Sequence, residues 1–406
     1  MSIPKLRFNE FNGSWTTKKI DEIAIVTSGG TPSRNVAKYW NGHIPWVTTS
    51  LVNFNIISNA EEFITQEGVD NSSAKLFPKN TILMAMYGQG ITRGKVAILN
   101  IEATTNQACA AIKLKDGLNT HFVFQNLMNR YEEIRDLSNE GGQKNLSAGI
   151  IKDILISFPS KLEQTKIASF LSSVDEKIAQ LTQKHELLSE YKQGMMQKLF
   201  SQQIRFKADD DSEFEEWQEK PLNYYLYTSK LKNKDLKYSK YEVLSVSGDL
   251  GVVNQIELLG RSYAGVSVAP YGVVEHGDIV YTKSPLKSNP YGIIKVNKGK
   301  SGIVSTLYAI YKCRNNIIPN LVDYYFQNHM KLNHFLKPLV KKGAKNDMKV
   351  NNDHVLTGLV IFPSSIEEQV KIVKFLSIID QKIEIVAKQI EQAKQWKKGL
   401  SQQMFV

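Results

Sequence analysis

A stretch of about forty residues occurs twice in this chain, and the repeat limits the possible architecture more than any other feature. FPSKLEQTKIASFLSSVDEKIAQLTQKHELLSEYKQGMMQKLF, from Phe158, returns as FPSSIEEQVKIVKFLSIIDQKIEIVAKQIEQAKQWKKGLSQQMF, from Phe362. One inserted residue near Glu367 and Glu368 brings the two into register. Lys166 then matches Lys371, and Ile167, Phe170, Leu171, Ser172, Asp175, Lys177, Ile178, Glu186, Lys192, Gly194, Gln197 and Phe200 recur at the same offset. The stretches before each copy are weakly repeated as well. RFNEFNGSWTTKKI resembles IRFKADDDSEFEEWQEKPL, pairing Trp15 with Trp217, and GGQKNL resembles KGAKNDM. The order is variable domain, long repeat, variable domain, long repeat. Phe405 closes the second copy where Phe200 closes the first, and the segment after Phe200 has its counterpart at the N-terminus. A pseudo-twofold molecule whose ends lie close together is expected.

Each repeat reads as a long helix. Positions 171, 174, 178, 181, 185, 188, 192, 195 and 199, like 376, 379, 383, 386, 390, 393, 397, 400 and 404, alternate steps of three and four along a mostly apolar heptad seam. Pro159 and Pro363 precede the helices, where proline is tolerated. About 38 residues at 1.5 Å each give ~57 Å. A helix of that length cannot hide its seam alone, so antiparallel pairing of the two copies is expected. Lys192 and Lys397 interrupt the seam at equivalent places. Either their stems cover apolar surface while the charges reach water, or the seam opens there toward a partner. Tyr191, Met195 and Phe200, with Trp396, Leu400 and Phe405, give each helix an apolar, aromatic end. These ends are candidate docking sites for another subunit, with packing against the chain's own domain as the alternative.

The variable regions read as mixed α/β. Apolar β-rich runs start at Thr81, Lys95, Glu242, Gly277, Tyr291 and Thr306, and helical runs at His121 and Leu321. The expected fold class is α/β, with two mixed α/β domains separated by two long antiparallel coiled-coil helices in a pseudo-twofold arrangement. The boundaries read as 1–157 for the first domain, 158–203 for the first helical spacer, 204–361 for a linker and the second domain, and 362–406 for the second spacer.

Function enters through charge. The chain has 406 residues, and 51 Lys and Arg against 40 Asp and Glu leave a formal charge of +11. A protein this basic commonly meets a polyanion, nucleic acid first. The basic and hydrogen-bonding residues gather in loops. Candidates for contacting DNA are Ser28, Thr31 and Arg34; Gln89, Thr92, Arg93 and Lys95; and Gln143, Lys144 and Asn145 in the first domain. The second offers Lys230, Lys232 and Lys234; Lys283, Lys287, Ser288 and Asn289; and Lys342, Lys345 and Asn346. Lys and Arg neutralise phosphates, while Arg, Lys, Asn and Gln can also bond to base edges.

Several chemistries find no support. YGQGITRGK fails as a phosphate loop, because Gln89 stands where the first glycine belongs and Val96 comes directly after Lys95. Asn289-Pro290-Tyr291 lacks the second proline of an amino-methyltransferase motif and reads as a turn before a strand. His329 and His334 miss the spacing of a zinc helix, and Cys109 and Cys313 lack a CxxC arrangement, so no metal site is expected. Asp175-Glu176-Lys177 faces Asp380-Gln381-Lys382 in the other copy, which suits a solvated helix face. No run approaches a membrane span, the N-terminus lacks the apolar stretch of a secretory signal, and a cytoplasmic location is expected.

Two divergent domains alternating with two near-identical helices resemble the specificity subunit of type I restriction–modification enzymes. The motif FPS-x-x-E-Q-x-KI-x-x-FLS-x-x-D-x-KI, at 158–178 and with one insertion at 362–383, carries the resemblance, and GGQKNLSAGIIKDILISFP is similar to the end of a target recognition domain. The second domain departs from it, beginning KGAKNDM with Lys342. The resemblance implies two target recognition domains, each reading half of a bipartite site in double-stranded DNA, with the coiled coil setting the gap. It implies docking of two methyltransferase subunits that bring S-adenosylmethionine, and of restriction and translocase subunits that use ATP and Mg2+. The chain itself would bind no cofactor and catalyse nothing. A coiled-coil scaffold without DNA readout, or a methyltransferase or nuclease with attached recognition domains, are the alternatives.

Overall fold

The repeats form two unbroken helices, Lys161–Phe200 and Ile366–Met404, in a computed structural model that describes residues 4–88, 91–137, 145–342 and 348–406. The chain divides into two compact units, one of Met1–His185 with Val386–Val406 and the other of Glu186–Ile385. Each unit therefore holds one variable domain, the first half of one long helix and the second half of the other.

The two helices run antiparallel. In the first unit Phe170 meets Trp396 edge to face at 6.1 Å, and Asp175 lies 2.6 Å from Lys397. In the second unit Lys192 lies 2.6 Å from Asp380. The seam is the least exposed row of both helices, with Leu171, Val174, Leu181, Leu199, Leu376, Ile379 and Val386 all buried. The two seam lysines take neither expected course. Each is about 15% exposed and pairs with the aspartate of the opposite copy, Lys397 with Asp175 and Lys192 with Asp380. That aspartate also accepts a hydrogen bond from the domain, from Gln125 Nε2 in the first unit and Tyr324 Oη in the second, each at 2.7 Å. Asp175 and Asp380 thus anchor the seam rather than belonging to a merely solvated face.

The start of each helix is tied to its domain by the repeated Glu-Gln pair. Glu163 takes a bidentate bond from Arg7 (2.7 and 2.7 Å), and Glu368 takes one from Arg205 (3.1 and 3.0 Å). Both carboxylates are buried. Gln164 accepts from Asn119 N and donates to Pro159 O, while Gln369 accepts from Ile318 N and donates to Pro363 O. Ser160 and Ser365 stand at the same capping position, each accepting from the glutamate amide. The extra residue of the second copy is therefore Ser364, ahead of the helix, and not a residue at 367–368. At the other end Leu6 N donates to Gln403 O at 2.9 Å, which brings the N-terminal segment to the close of the second helix.

Each domain is built on a sheet of one strand order. In the first unit the order is Ala24–Ser28, Cys109–Leu114, Ile82–Ala85, Val96–Leu99 and Asn55–Ile57. In the second it is Leu226–Thr228, Tyr308–Cys313, Ile279–Thr282 and Ile293–Val296. The first four strands correspond one to one. The inner strands are largely apolar and buried on both faces, as Val96–Leu99 and Ile279–Thr282 show. The helical runs break where one helix each is expected. Thr120–Asn129 and Tyr131–Asp136 meet at Arg130, and Pro319–Tyr325 and His329–Leu336 are separated by a turn whose Asn328 caps the second helix.

Candidate nucleic-acid interface

Strand register places the basic loops of each domain at one end of its sheet. In the first unit Ser28 pairs with Ala110, Ala85 with Cys109, and Met84 with Val96. The loops leaving Ser28 and Ala85, and the chain entering Val96 and Cys109, thus emerge together. Leu146 N donates to Met86 O at 3.0 Å and brings the third loop to the same end. The opposite end, at Ala24 and Leu114, leads toward Asn119 and the start of the long helix. The second unit repeats the plan. Thr228 pairs with Tyr311, and Thr282 pairs with both Tyr308 and Ile293. Lys283 Nζ reaches Asn352 Oδ1 at 3.4 Å and Tyr311 Oη donates to Asn352 O, which joins the chain after the paired strands Lys341–Lys342 and Met348–Lys349 to that end.

Most of the expected DNA-facing residues collect at these two ends. Ser28 and Arg34 are exposed, and Thr31 is half-buried with its hydroxyl on Gln107. Thr92 is half-buried; Arg93 donates through Nε to Arg135 O, and Lys95 donates to Asn53 Oδ1 at 2.7 Å. Asn145 is half-buried. In the second unit Lys230, Lys232, Lys234, Lys287 and Ser288 are exposed. The four lysines of that set make no ion pair among the described residues. Lys283 is half-buried, and burial together with the nearby charge of Lys232 lowers its pKa. Lys342 lies in the strand Lys341–Lys342. Gln89, Gln143, Lys144, Lys345 and Asn346 fall outside the described residues.

Asn289 does not belong to the surface. It is 2% exposed, its Oδ1 lies 2.6 Å from His329 Nδ1, and its backbone closes a turn with Leu286 ahead of the strand Ile293–Val296. The helix ends also need correcting as docking sites. Phe405 is buried against Phe122 at 5.3 Å, Phe200 packs on Trp217 and Tyr325, and Leu400 lies on the first unit's core. Packing against the chain's own domains accounts for these three. Tyr191 and Trp396 remain about half exposed, and Met195 is half-buried.

The scaffold beneath the first loop is not among the features expected from sequence. Trp46 Nε1 donates to Gly30 O and Trp40 Nε1 to Ser33 O, at 3.0 and 3.1 Å. A Cβ on Gly29 would lie 2.1 Å from Thr105 O, and one on Gly30 would lie 2.3 Å from the backbone of Ser73, so only glycine lets this loop sit so low. WNGHIPW, with two tryptophans in one short β-rich run, was the available signal. Among the described residues no cluster of His, Cys, Asp or Glu could hold a metal ion, and no helix is long and apolar enough to cross a membrane.

The comparisons with known proteins agree with this geometry. Residues 12–190 match the family model of the type I restriction modification DNA specificity domain. The chain is 33% identical to the MjaIX specificity subunit of Methanocaldococcus jannaschii over 201 residues, 48% of this chain and 46% of that protein, so the match spans about half the relative's length. It is 25% identical to the MjaVIII specificity subunit of the same organism over 97% of this chain and 93% of that one. In fold it resembles the type I restriction–modification S subunit from M. genitalium, with a TM-score of 0.60 over 100% of this chain and 99% of the other at 17% identity. The part of the chain that the family model matches holds the first variable region and most of the first long helix. Over nearly its whole length the chain is thus similar to a type I restriction enzyme specificity subunit.

Proposed function

We propose that this chain is the address-reading subunit of a type I restriction–modification complex in the cytoplasm. Each domain reads one half of a bipartite target in double-stranded DNA, and the paired helices set the unspecified gap between the halves. Two methyltransferase subunits and the restriction and translocase subunits dock on it, bringing S-adenosylmethionine, ATP and Mg2+, while the chain itself binds no cofactor and carries out no catalytic step. The reading is carried by one observation. Two domains of unlike sequence share a strand order, and both gather basic, hydrogen-bonding loops at the same end of the sheet. Common scaffold with divergent loops is what separate readers of different base sequences require. Lysines at these ends supply salt-dependent attraction to phosphate, and the side chains around them supply base contacts.

Exchange of residues 217–361 for the corresponding domain of another specificity subunit tests the proposal. Mapping of methylated adenines in cells carrying the exchanged chain and its methyltransferase partner should show one half-site replaced and the other kept. A change in both halves, or in neither, would refute modular reading. Methyl transfer by the isolated chain would refute its non-catalytic role.

A further inference from the structure

The loop at 29–36 holds a guanidinium between two tryptophan rings and a carboxylate. Arg34 Cζ stands 3.7 Å from the centre of the Trp40 ring and 4.8 Å from that of Trp46. The two rings meet edge to face at 5.1 Å. Both guanidinium Nη atoms donate to Glu62, Nη1 to Oε2 and Nη2 to Oε1. Glu62 is carried on the strand Glu62–Ile64, which pairs with the strand Trp40–Val47, so one small sheet supplies carboxylate and both rings. The arginine hydrogen bond holds the Glu62 carboxyl below its ordinary range, so the pair persists at neutral pH. The same tryptophans fix the loop itself through Gly30 O and Ser33 O.

An arginine meant only to attract phosphate needs none of this. Here the stack fixes the plane of the guanidinium, and Glu62 occupies the end of the fork. The remaining edge, Nε–H with the outer N–H of Nη2, has no partner among the described residues, and the side chain is about half exposed. That edge is a two-donor fork of the spacing that meets O6 and N7 of guanine in the major groove. Carboxylate and stacking restrict its rotation, so less freedom is lost on contact. Among the described residues the second unit has no arginine placed between two rings and a carboxylate. Its corresponding loop, SKLKNKD from Ser229, offers lysines and is pinned instead by buried Asn233 through Tyr238 and Val268.

We infer that Arg34, positioned by Glu62 and Trp40, reads a guanine in the first unit's half-site. The inference rests on the DNA-recognition reading above. Its test is built so that the two can fail separately. The chain is assembled with its methyltransferase partner as wild type, Arg34→Lys, Arg34→Ala and Glu62→Gln, and methylated adenines are mapped genome-wide. Binding is then measured against the mapped site and against the same duplex with 7-deazaguanine at each guanine in turn.

Arg34→Lys keeps the charge and loses the fork. It should relax the first half-site at one guanine, with discrimination falling about tenfold or more, while the second half-site and the salt dependence stay unchanged. Glu62→Gln should relax the same position less, because the stack remains. Wild-type protein should lose affinity for 7-deazaguanine at that position alone. If Arg34→Lys leaves every position intact and Arg34→Ala weakens all sequences equally with a shallower salt slope, Arg34 is a phosphate contact and the inference is overturned. In that outcome a bipartite wild-type methylation pattern still upholds the recognition role, and its absence would overturn that role instead. Thermal melts of the variants separate loss of reading from loss of fold.

Discussion

Glu163 and Glu368 show how a single repeated residue is used. Each is a buried carboxylate facing a guanidinium held from two sides, and removal of one partner would leave the other without its counter-charge. They are not equal, since Glu368 Oε1 also accepts from Trp217 Nε1 at 3.1 Å, whereas Trp15 Nε1 has no acceptor among the described residues. Glu368→Ala should lower stability by about 3 kcal/mol or more, as loss of one partner in a buried pair commonly does. Glu163→Ala should cost less. Urea unfolding of the two variants makes the comparison, and equal losses would show that the tryptophan bond contributes nothing. The two thiols give a second test. Burial pushes Cys109 up to about 12, and burial with the Asp278 charge does the same for Cys313. At pH 8 about one native thiol in ten thousand is ionised. A disulfide reagent should leave both untouched in the native protein and titrate both in urea; fast native labelling of Cys109 would contradict its burial. Above about pH 9 the unfolded thiols release protons and the native ones do not, so each contributes less stability as pH rises toward 12. The Glu-Gln pair was visible in the sequence as part of the repeat, but its work was not. Arg7 and Arg205 stand 156 and 163 residues from the carboxylates they meet, and no local pattern links them.

The long helices were legible because a heptad seam is a local property that survives over forty residues. The pairing of their lysines was hidden for the reason that hid the arginines, since the partner lies on the other copy. Reciprocal pairing of Asp175 with Lys397 and Lys192 with Asp380 puts two polar contacts into an apolar seam, where a polar pair selects register and direction better than it adds stability. Asp175→Lys should destabilise the first unit, and adding Lys397→Asp should restore most of the loss. The coupling expected from a double-mutant cycle is about 1–2 kcal/mol, between exposed and fully buried pairs. Additive effects would mean that the charges do not sense each other. The central strands were likewise legible from short apolar runs, whereas the helical runs of each domain read as continuous. Asn328 breaks the second of them through a cap, a contact of side chain with backbone that periodicity does not register.

At the scale of the molecule the chain commits the same residues twice to one task. Each long helix begins on its own domain and finishes in the unit of the other. A change of length in one helix alone would set Asp175 against the wrong residue or Lys192 against the wrong residue, and the seam would oppose it. A matched change avoids that conflict. Seven residues of seam pattern inserted after Leu181 and seven after Val386 keep both ion pairs and every apolar position in phase. Seven helical residues add about 10 Å, close to three base pairs at about 3.4 Å each. If the helices set the gap, this variant should methylate the same two half-sites separated by about three more base pairs, and removal of a matched heptad should shorten the gap by the same amount. An insertion in one helix only should reduce methylation at every spacing. Since two readers on one spacer gain from each other only when both engage together, methylation at the original spacing should fall sharply in the matched variant. An unchanged gap would show that the separation of the half-sites is set elsewhere, in the partner subunits or in the DNA, and the helices would then serve only to hold the two domains in one chain.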